Sequence, residues 1–331
     1  MTPVRARAPG RVNLIGDHTD YSGGLVLPMA IDLETVVSGD RGGEVVSLES
    51  GDEKRPAEVP LDVEDPGAVE PRWARYVAGV VAMLRPPAGL RGEVVTTLPV
   101  GAGLSSSAAL EVAVALALGF VGTTLELARM CQAAEQVASG VPCGIMDQLA
   151  SAAGVEGHAL RIDCTTMAVD PVPLPEGVDV VVVHSGLPRN LGGTAYGERR
   201  RECSAVEERI GPLRDATVED AEGLDDLVLR RRARHVVTEN ERVGRFAAAL
   251  AGGRLDELGP LMAASHASLR DDFEVSTPVL DELVARLQST PGVLGARLTG
   301  AGFGGCAVAI ARSGTELPGW RVRAAAGASV S

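Results

Sequence analysis

The chain has 331 residues, 45% of them hydrophobic but only 3% aromatic, with 31 basic against 44 acidic side chains and a net charge of −13. That length suits two domains, with cores built from Val, Leu, Ala and Ile, and the acidic balance excludes a nucleic-acid or anionic-membrane surface as the main partner. Five scattered cysteines without a CxxC pair give neither a disulfide framework nor a zinc site, and no stretch reaches the length of a membrane span, so the expected setting is a reducing cytoplasm.

In chain order, RVNLIGDHTDYSGG (11–24) packs Arg11, Asp17, His18, Asp20 and Tyr21 into apolar surroundings. An apolar, β-branched run over 24–37 leads to a charge-rich stretch, 38–70, that reads as strands and surface excursions. Helical spacing marks 73–84, with Tyr76, Val80, Val81 and Leu84 on one face. A strand is expected at 93–98 and a turn at 99–103, then an Ala-rich helix at 105–120, apolar almost all round and hence buried. A further helix covers 124–138. Pro171, Pro173 and Pro175 precede a fully apolar strand at 178–183, which places a boundary between an N-terminal domain (1–175) and a C-terminal domain (176–331). Beyond it, amphipathic spacing predicts helices at 195–210, 225–251, 254–273 and 278–288, then strands at 295–299 and 306–311 around a glycine loop.

Three further segments carry chemistry. LPVGAGLSSSAALEVAVALA (98–117) runs from a strand end through glycines and serines into the buried helix. Converging N–H groups and a helix dipole there make an anion cradle, although a small-residue turn with a serine N-cap would use the same letters. LTGAGFGGCAVAI (298–310) is either a tight hairpin or backbone that approaches a ligand without side-chain obstruction. In VPCGIMDQLAS (141–151), Asp147 is either a helix-start charge or a base beside a substrate hydroxyl. The run Arg230, Arg231, Arg232, Arg234, His235 reads as a solvated helix face.

Taken together, GRVNLIGDHTDYSGG, PVGAGLSSSAALE and TGAGFGGC, in that order, resemble the three motifs of the GHMP family of small-molecule kinases, in its galactokinase branch. PRWARYVAGV, PCGIMDQ, AYGERRREC and SHASLRDDFEVS are also similar to segments of that branch, so the resemblance spans nearly the whole chain. It implies an α+β, two-domain fold: an N-terminal domain like ribosomal protein S5, a C-terminal ferredoxin-like domain, and ATP and sugar meeting in the cleft between them. The implied reaction moves the ATP γ-phosphoryl to the anomeric hydroxyl of galactose.

By the same resemblance, Asp147 matches the catalytic aspartate and Arg11 the arginine paired with it. Asp17, His18, Asp20, Gly144 and Tyr196 match sugar contacts. The nucleotide would lie along Gly101, Gly103, Leu104, Ser105, Ser106, Ser107 and Ala108, with Trp73 and Tyr76 lining the base; for the two aromatics, helix-face packing competes as a reading. Mg²⁺ is expected, with Ser107 as one contact and Glu135 as a second, although Glu135 also reads as a surface helix charge. The implied partners are a sugar and ATP, on a monomer or a weak dimer.

The chain departs from the family pattern in places. Asp17 stands where the family usually carries Glu, which shortens a carboxylate by one methylene. LGGTAY (191–196) lacks an acidic residue common two places before the alanine, and Val183 and His184 replace an arginine-histidine pair. These differences bear on which sugar is used, with N-acetylgalactosamine, arabinose, a uronic acid or a deoxy sugar as alternatives. A non-catalytic ATP- and sugar-binding sensor is the rival of another class.

Overall fold

The computed structural model describes residues 2–99, 101–187 and 193–331; the start of the LGGTAY segment, residues 191 and 192, lies outside them. Thirteen strands and nine α-helices follow in chain order among the described residues. The first half holds β1 (Thr2–Asn13), β2 (Leu25–Val26), β3 (Pro28–Arg41), β4 (Val45–Ser50), β5 (Ala57–Pro60), α1 (Ala74–Leu84), β6 (Leu90–Thr96), α2 (Ser106–Ala117), α3 (Thr124–Ser139), α4 (Met146–Ala153), β7 (His158–Asp163) and β8 (Val169–Pro173). The second holds β9 (Val178–His184), α5 (Gly193–Ile210), α6 (Val218–Glu222), α7 (Leu227–Ala251), α8 (Leu258–Asp271), α9 (Pro278–Gln288), β10 (Val293–Thr299), β11 (Cys306–Arg312), β12 (Trp320–Val322) and β13 (Ser329–Val330).

Three sheets result, with orders β13-β1-β3-β6-β4-β5, β10-β11-β9-β12 and β2-β7-β8. β4 runs parallel to β6, and the other pairings are antiparallel. The last strand crosses back to the first sheet, pairing Ala6 with Val330. Among the described residues no helix is long and apolar enough to cross a membrane.

β1 has no signature in the sequence reading because Arg5 and Arg7 break its apolar run. In the sheet those arginines face outward while Val4, Ala6 and Ala8 are buried, the period-2 pattern of a half-buried strand. Past Pro9 the register shifts, and Arg11 pairs with Ala30. Gly10 sits at that bulge because a Cβ there would overlap the Leu98 side chain and the Leu104 carbonyl. The bulge brings β1 against the glycine-serine loop, and Arg11 N donates to Leu104 O at 3.1 Å.

α2 packs against β1, β3, α1, α3 and α4 and is buried on nearly every side, as its composition predicts. α3 opens with a capping box in which Thr123 Oγ1 accepts from Glu126 N and Glu126 Oε2 accepts from Thr123 N. It ends at Gly140. The following turn is pinned back onto α3, since Cys143 O accepts from Gln132 Nε2 and Gln136 Nε2 at 3.1 and 3.0 Å. That fixes where α4 starts, and Asp147 stands in its first turn.

The expected solvated run at 230–235 is corrected. Arg232 is buried, held by Glu202 of α5 at 2.7 Å and by Glu274, beyond α8, at 2.7 Å, and His235 is buried too. The expected helix over 254–273 divides into a short 3-10 turn, Leu255–Glu257, and α8.

A buried polar seam stitches residues 13–17 to the second half. Arg297 of β10 donates from Nη2 to Asp17 Oδ2 at 2.5 Å and from Nη1 to Leu14 O at 3.2 Å. His235 Nε2 meets Asp17 O at 3.1 Å, Gly16 N donates to Glu239 Oε1 at 3.0 Å, and Thr299 Oγ1 donates to Asn13 O at 2.8 Å. Breaking one partner of a buried ion pair leaves the other charge without compensation, at a cost of about 3–5 kcal/mol. Arg297→Met is therefore expected to lower stability by that amount in chemical denaturation; a loss under about 1 kcal/mol would show that the seam does not bind the halves together.

Candidate active site

A cleft of about 490 Å³ opens where the end of β1, the start of α2, the 141–147 segment and the β10–β11 hairpin converge. At its centre Arg11 grips Asp147 in a fork, Nε to Oδ1 at 2.8 Å and Nη2 to Oδ2 at 2.6 Å. The guanidinium side chain is 2% exposed and the carboxylate 29%, so the cation stands behind and the carboxylate faces the cleft. Arg11 Nη1 also donates to Gly103 O at 2.8 Å, which ties the fork to the glycine-serine loop. A planar guanidinium suits such bidentate contact in a way a lysine does not.

Ser105 adds a third hydrogen bond, Oγ to Asp147 Oδ2 at 2.5 Å. It does so from a left-handed backbone, φ +59°, a conformation a non-glycine residue holds only at some cost in strain. The loop thus spends its first serine on the carboxylate. Ser106 opens α2 and lines the cleft; Ser107 also lines it and donates to Glu135 Oε1 at 3.0 Å. Gly101 and Gly103, with φ of +76° and +75°, turn the backbone around the cleft. Leu104 and Ala108 are buried behind the loop, where they shape it without facing the cleft.

At one end of the cleft lie Asp20, His18, Tyr196 and Gly144. A Cβ on Gly144 would overlap the Asp20 carboxylate, which explains glycine at that position. Burial first, then the nearby Asp147 charge, raise the Asp20 carboxyl to about 6. His18 Nδ1 pairs with Tyr21 Oη at 2.9 Å and Nε2 with Ala301 O at 3.1 Å. A carbonyl accepts only, so Nε2 carries the proton and donates to Ala301, and Nδ1 accepts from Tyr21. The hairpin of the third motif therefore forms as a hairpin and also meets the cleft, through Gly300 and Ala301. Asp17 lines the cleft as well, but its oxygens take Arg297 and, at 2.9 Å, Gly300 N.

At the other end Trp73 and Tyr76 line the cleft while also packing on the core. Trp73 Nε1 donates to Arg55 O at 3.1 Å. Ser50 at the end of β4, Asp52 and Glu53 of the β4–β5 turn, and Arg72 also line the cleft. The sequence reading missed the β4–β5 residues, which carry no motif and reach the cleft only through sheet pairing. Gln148 and Glu111 were missed as well, although one carboxylate in an apolar helix was a visible signal. Cys143 lines the cleft, and Cys131, Cys164, Cys203 and Cys306 are buried.

The chain is similar to known proteins over most of its length. Residues 2–41 match the galactokinase galactose-binding signature, residues 75–155 the N-terminal domain of GHMP kinases, and residues 246–318 their C-terminal domain. The chain is similar to the galactokinase of Canis lupus familiaris, 47% identical with 92% of this chain and 82% of that protein covered. It is also similar to the galactokinase of Roseiflexus sp. (strain RS-1), at 44% with 95% and 85% covered. Among solved structures it resembles Lactococcus lactis galactokinase complexed with galactose, with a TM-score of 0.91, 32% identity, and 99% and 95% of the two chains covered. The Methanococcus jannaschii mevalonate kinase shares the fold at 17% identity and a TM-score of 0.68, covering 97% and 98% of the two chains. With its motifs in order and that identity over nearly its full length, the chain belongs to the galactokinase family of GHMP kinases.

Proposed function

We propose that the protein phosphorylates D-galactose at the anomeric hydroxyl, taking the γ-phosphoryl of ATP and yielding galactose 1-phosphate and ADP. The observation that carries this reading is the Asp147 carboxylate, fixed by Arg11 and Ser105 and facing the cleft between Asp20 and the glycine-serine loop.

Lone-pair accounting supports Oδ1 as the reactive oxygen. Each carboxylate oxygen has about two acceptor positions, and Oδ2 spends both, on Arg11 Nη2 and Ser105 Oγ. Oδ1 accepts only Arg11 Nε among the described contacts and keeps one position for the sugar hydroxyl. Asp147 Oδ1 takes that proton as the hydroxyl oxygen bonds to the γ-phosphorus; the bond to the β,γ-bridging oxygen breaks, and its electron pair leaves with ADP. Arg11 holds Asp147 in place through its two-bond fork. The α2 N-terminus and the loop N–H groups stabilise the phosphates, where positioning matters more than a strong base.

Asp20, Tyr196 and His18 are proposed to hold the sugar, with Asp17 shaping their loop through Arg297. Trp73 and Tyr76 are proposed at the adenine. Ser107 and Glu135 are hard oxygen donors beside the loop, which fits Mg²⁺; the described residues hold no cluster of three or more His, Cys, Asp or Glu side chains able to bind a metal, so phosphate and water oxygens would complete its shell. Bound there, Mg²⁺ would neutralise phosphate charge. A reducing cytoplasm suits a chain in which Cys131, Cys143, Cys164 and Cys203 form no disulfide.

ADP release from Mg·ATP with a sugar panel is expected to give galactose the highest kcat/KM; if galactose ranks poorest, the substrate assignment is wrong. Asp147→Asn is expected to lower kcat by about 10²–10⁴-fold, and Arg11→Met by a similar factor. Near wild-type turnover in Asp147→Asn would exclude its role as base.

Asp20 gives a pH signature. Its raised carboxyl means that the folded chain holds the proton more tightly than the unfolded chain, so the ionised group costs no stability below about pH 4 and its full cost above about pH 6. Asp20→Asn should melt higher than wild type at pH 8, by about 2 kcal/mol once screening by cleft water is allowed for, and match it near pH 4. The same substitution should raise the galactose KM at pH 8. The wild-type KM should climb as pH falls through about 6, because only the ionised group accepts from two sugar hydroxyls; a flat profile from pH 5 to 8 would rule out that contact.

A further inference from the structure

Behind the glycine-serine loop, a polar cluster lies inside apolar packing. Glu111 sits on α2 and Gln148 follows Asp147 on α4, both fully buried. Gln148 Nε2 spends its two hydrogens on carboxylates, donating to Glu111 Oε2 at 3.1 Å and to Glu135 Oε2 at 2.5 Å. Glu135 in turn accepts from Ser107 through Oε1. Turning the amide over would set its oxygen against the Glu135 carboxylate, so that contact fixes its orientation.

Two buried oxygens in this cluster, Glu111 Oε1 and Gln148 Oε1, have no hydrogen-bond partner. Leaving such a group unsatisfied costs about 1–3 kcal/mol. Both orphans belong to the two groups already joined by an N–H···O bond. A protonated Glu111 would offer an O–H to the amide oxygen, and the two-bond ring that a carboxylic acid forms with a primary amide would satisfy both atoms at once. Burial first, and Glu135 second, push the Glu111 carboxyl well above the usual carboxylate range, in keeping with a neutral acid.

We propose that Glu111, as a neutral acid, and Gln148 form a closed acid–amide pair that holds Glu135 against Ser107, so that both are positioning residues for the metal–nucleotide end of the site. The proposal rests on the reading of Ser107 and Glu135 as contacts of Mg·ATP. It also gives α4 a double task, because consecutive residues in its first turn serve the two sides of the transfer. Asp147 points to Arg11, and Gln148 to Glu135.

Three variants test this: Glu111→Gln, Glu111→Leu and Gln148→Met. The readouts are the dissociation constant of a fluorescent ATP analogue with Mg²⁺ and in EDTA, galactose binding by calorimetry, and thermal melting. Glu111→Gln keeps a neutral group able to close the ring with Gln148 and is expected to bind the Mg²⁺ nucleotide within twofold of wild type. Glu111→Leu and Gln148→Met are expected to weaken it tenfold or more, with a smaller change in EDTA and galactose affinity held within twofold. Equal impairment of Glu111→Gln and Glu111→Leu would overturn the neutral-acid role, and Gln148→Met binding within twofold of wild type would overturn the positioning role. Where the leucine variant does not fold, Glu111→Gln decides alone: tolerance supports the pair, and tenfold weakening refutes it. Wild-type turnover on galactose, measured alongside, tests the sugar assignment separately, since nucleotide binding does not depend on it.

Discussion

The ion pair between Asp17 and Arg297 is the constraint on which the rest of the site depends. It joins a loop near the start of the chain to a strand near its end, inside a fully buried environment where neither charge has water to fall back on. Around it, His235, Glu239 and Thr299 bind the backbone of residues 13–17. Because these bonds fix the loop, the side chains just after it, His18 and Asp20, reach the cleft in a set geometry. The cleft is therefore a product of the seam, and any movement of one half against the other must strain these bonds.

The reacting end follows the same logic of over-determined placement. Asp147 is set from one side by a helix start pinned through Cys143 O, and from the other by the Arg11 fork and Ser105. Each support comes from a different element: β1, the glycine-serine loop, α3 and α4. A carboxylate so held has little freedom to lose when substrate arrives, which is the sense in which binding geometry is prepared in advance.

Much of this was legible in the sequence wherever chemistry-bearing residues cluster. The segments around Arg11, Ser105 and Asp147 stood out because charges and glycines interrupt apolar runs; α2 followed from its Ala-rich, apolar composition and α9 from amphipathic spacing. What stayed hidden depends on partners far away in the chain. Arg232 reads as one more surface cation until Glu202 and Glu274 close on it, and Arg297 looks ordinary until it meets Asp17. β1 was missed because its outward arginines mask an inward row of small residues. Gln148, next to the most conspicuous aspartate, drew no attention because an amide has no charge to betray a buried role.

The scarcity of aromatic side chains, set beside where they lie, has an optical consequence. Of three tyrosines, Tyr76 and Tyr196 line the cleft and Tyr21 stacks edge-on against Tyr196, with ring centroids 5.7 Å apart. Of two tryptophans, Trp73 lines the cleft and Trp320 lies on β12. Trp73 and two of the three tyrosines therefore put much of the chain's native ultraviolet absorption in its cleft walls, while Trp320 reports from beside the core. A ligand that changes the surroundings of Trp73, Tyr76 or Tyr196 therefore changes the absorption and emission of the unlabelled protein, over a background from Trp320.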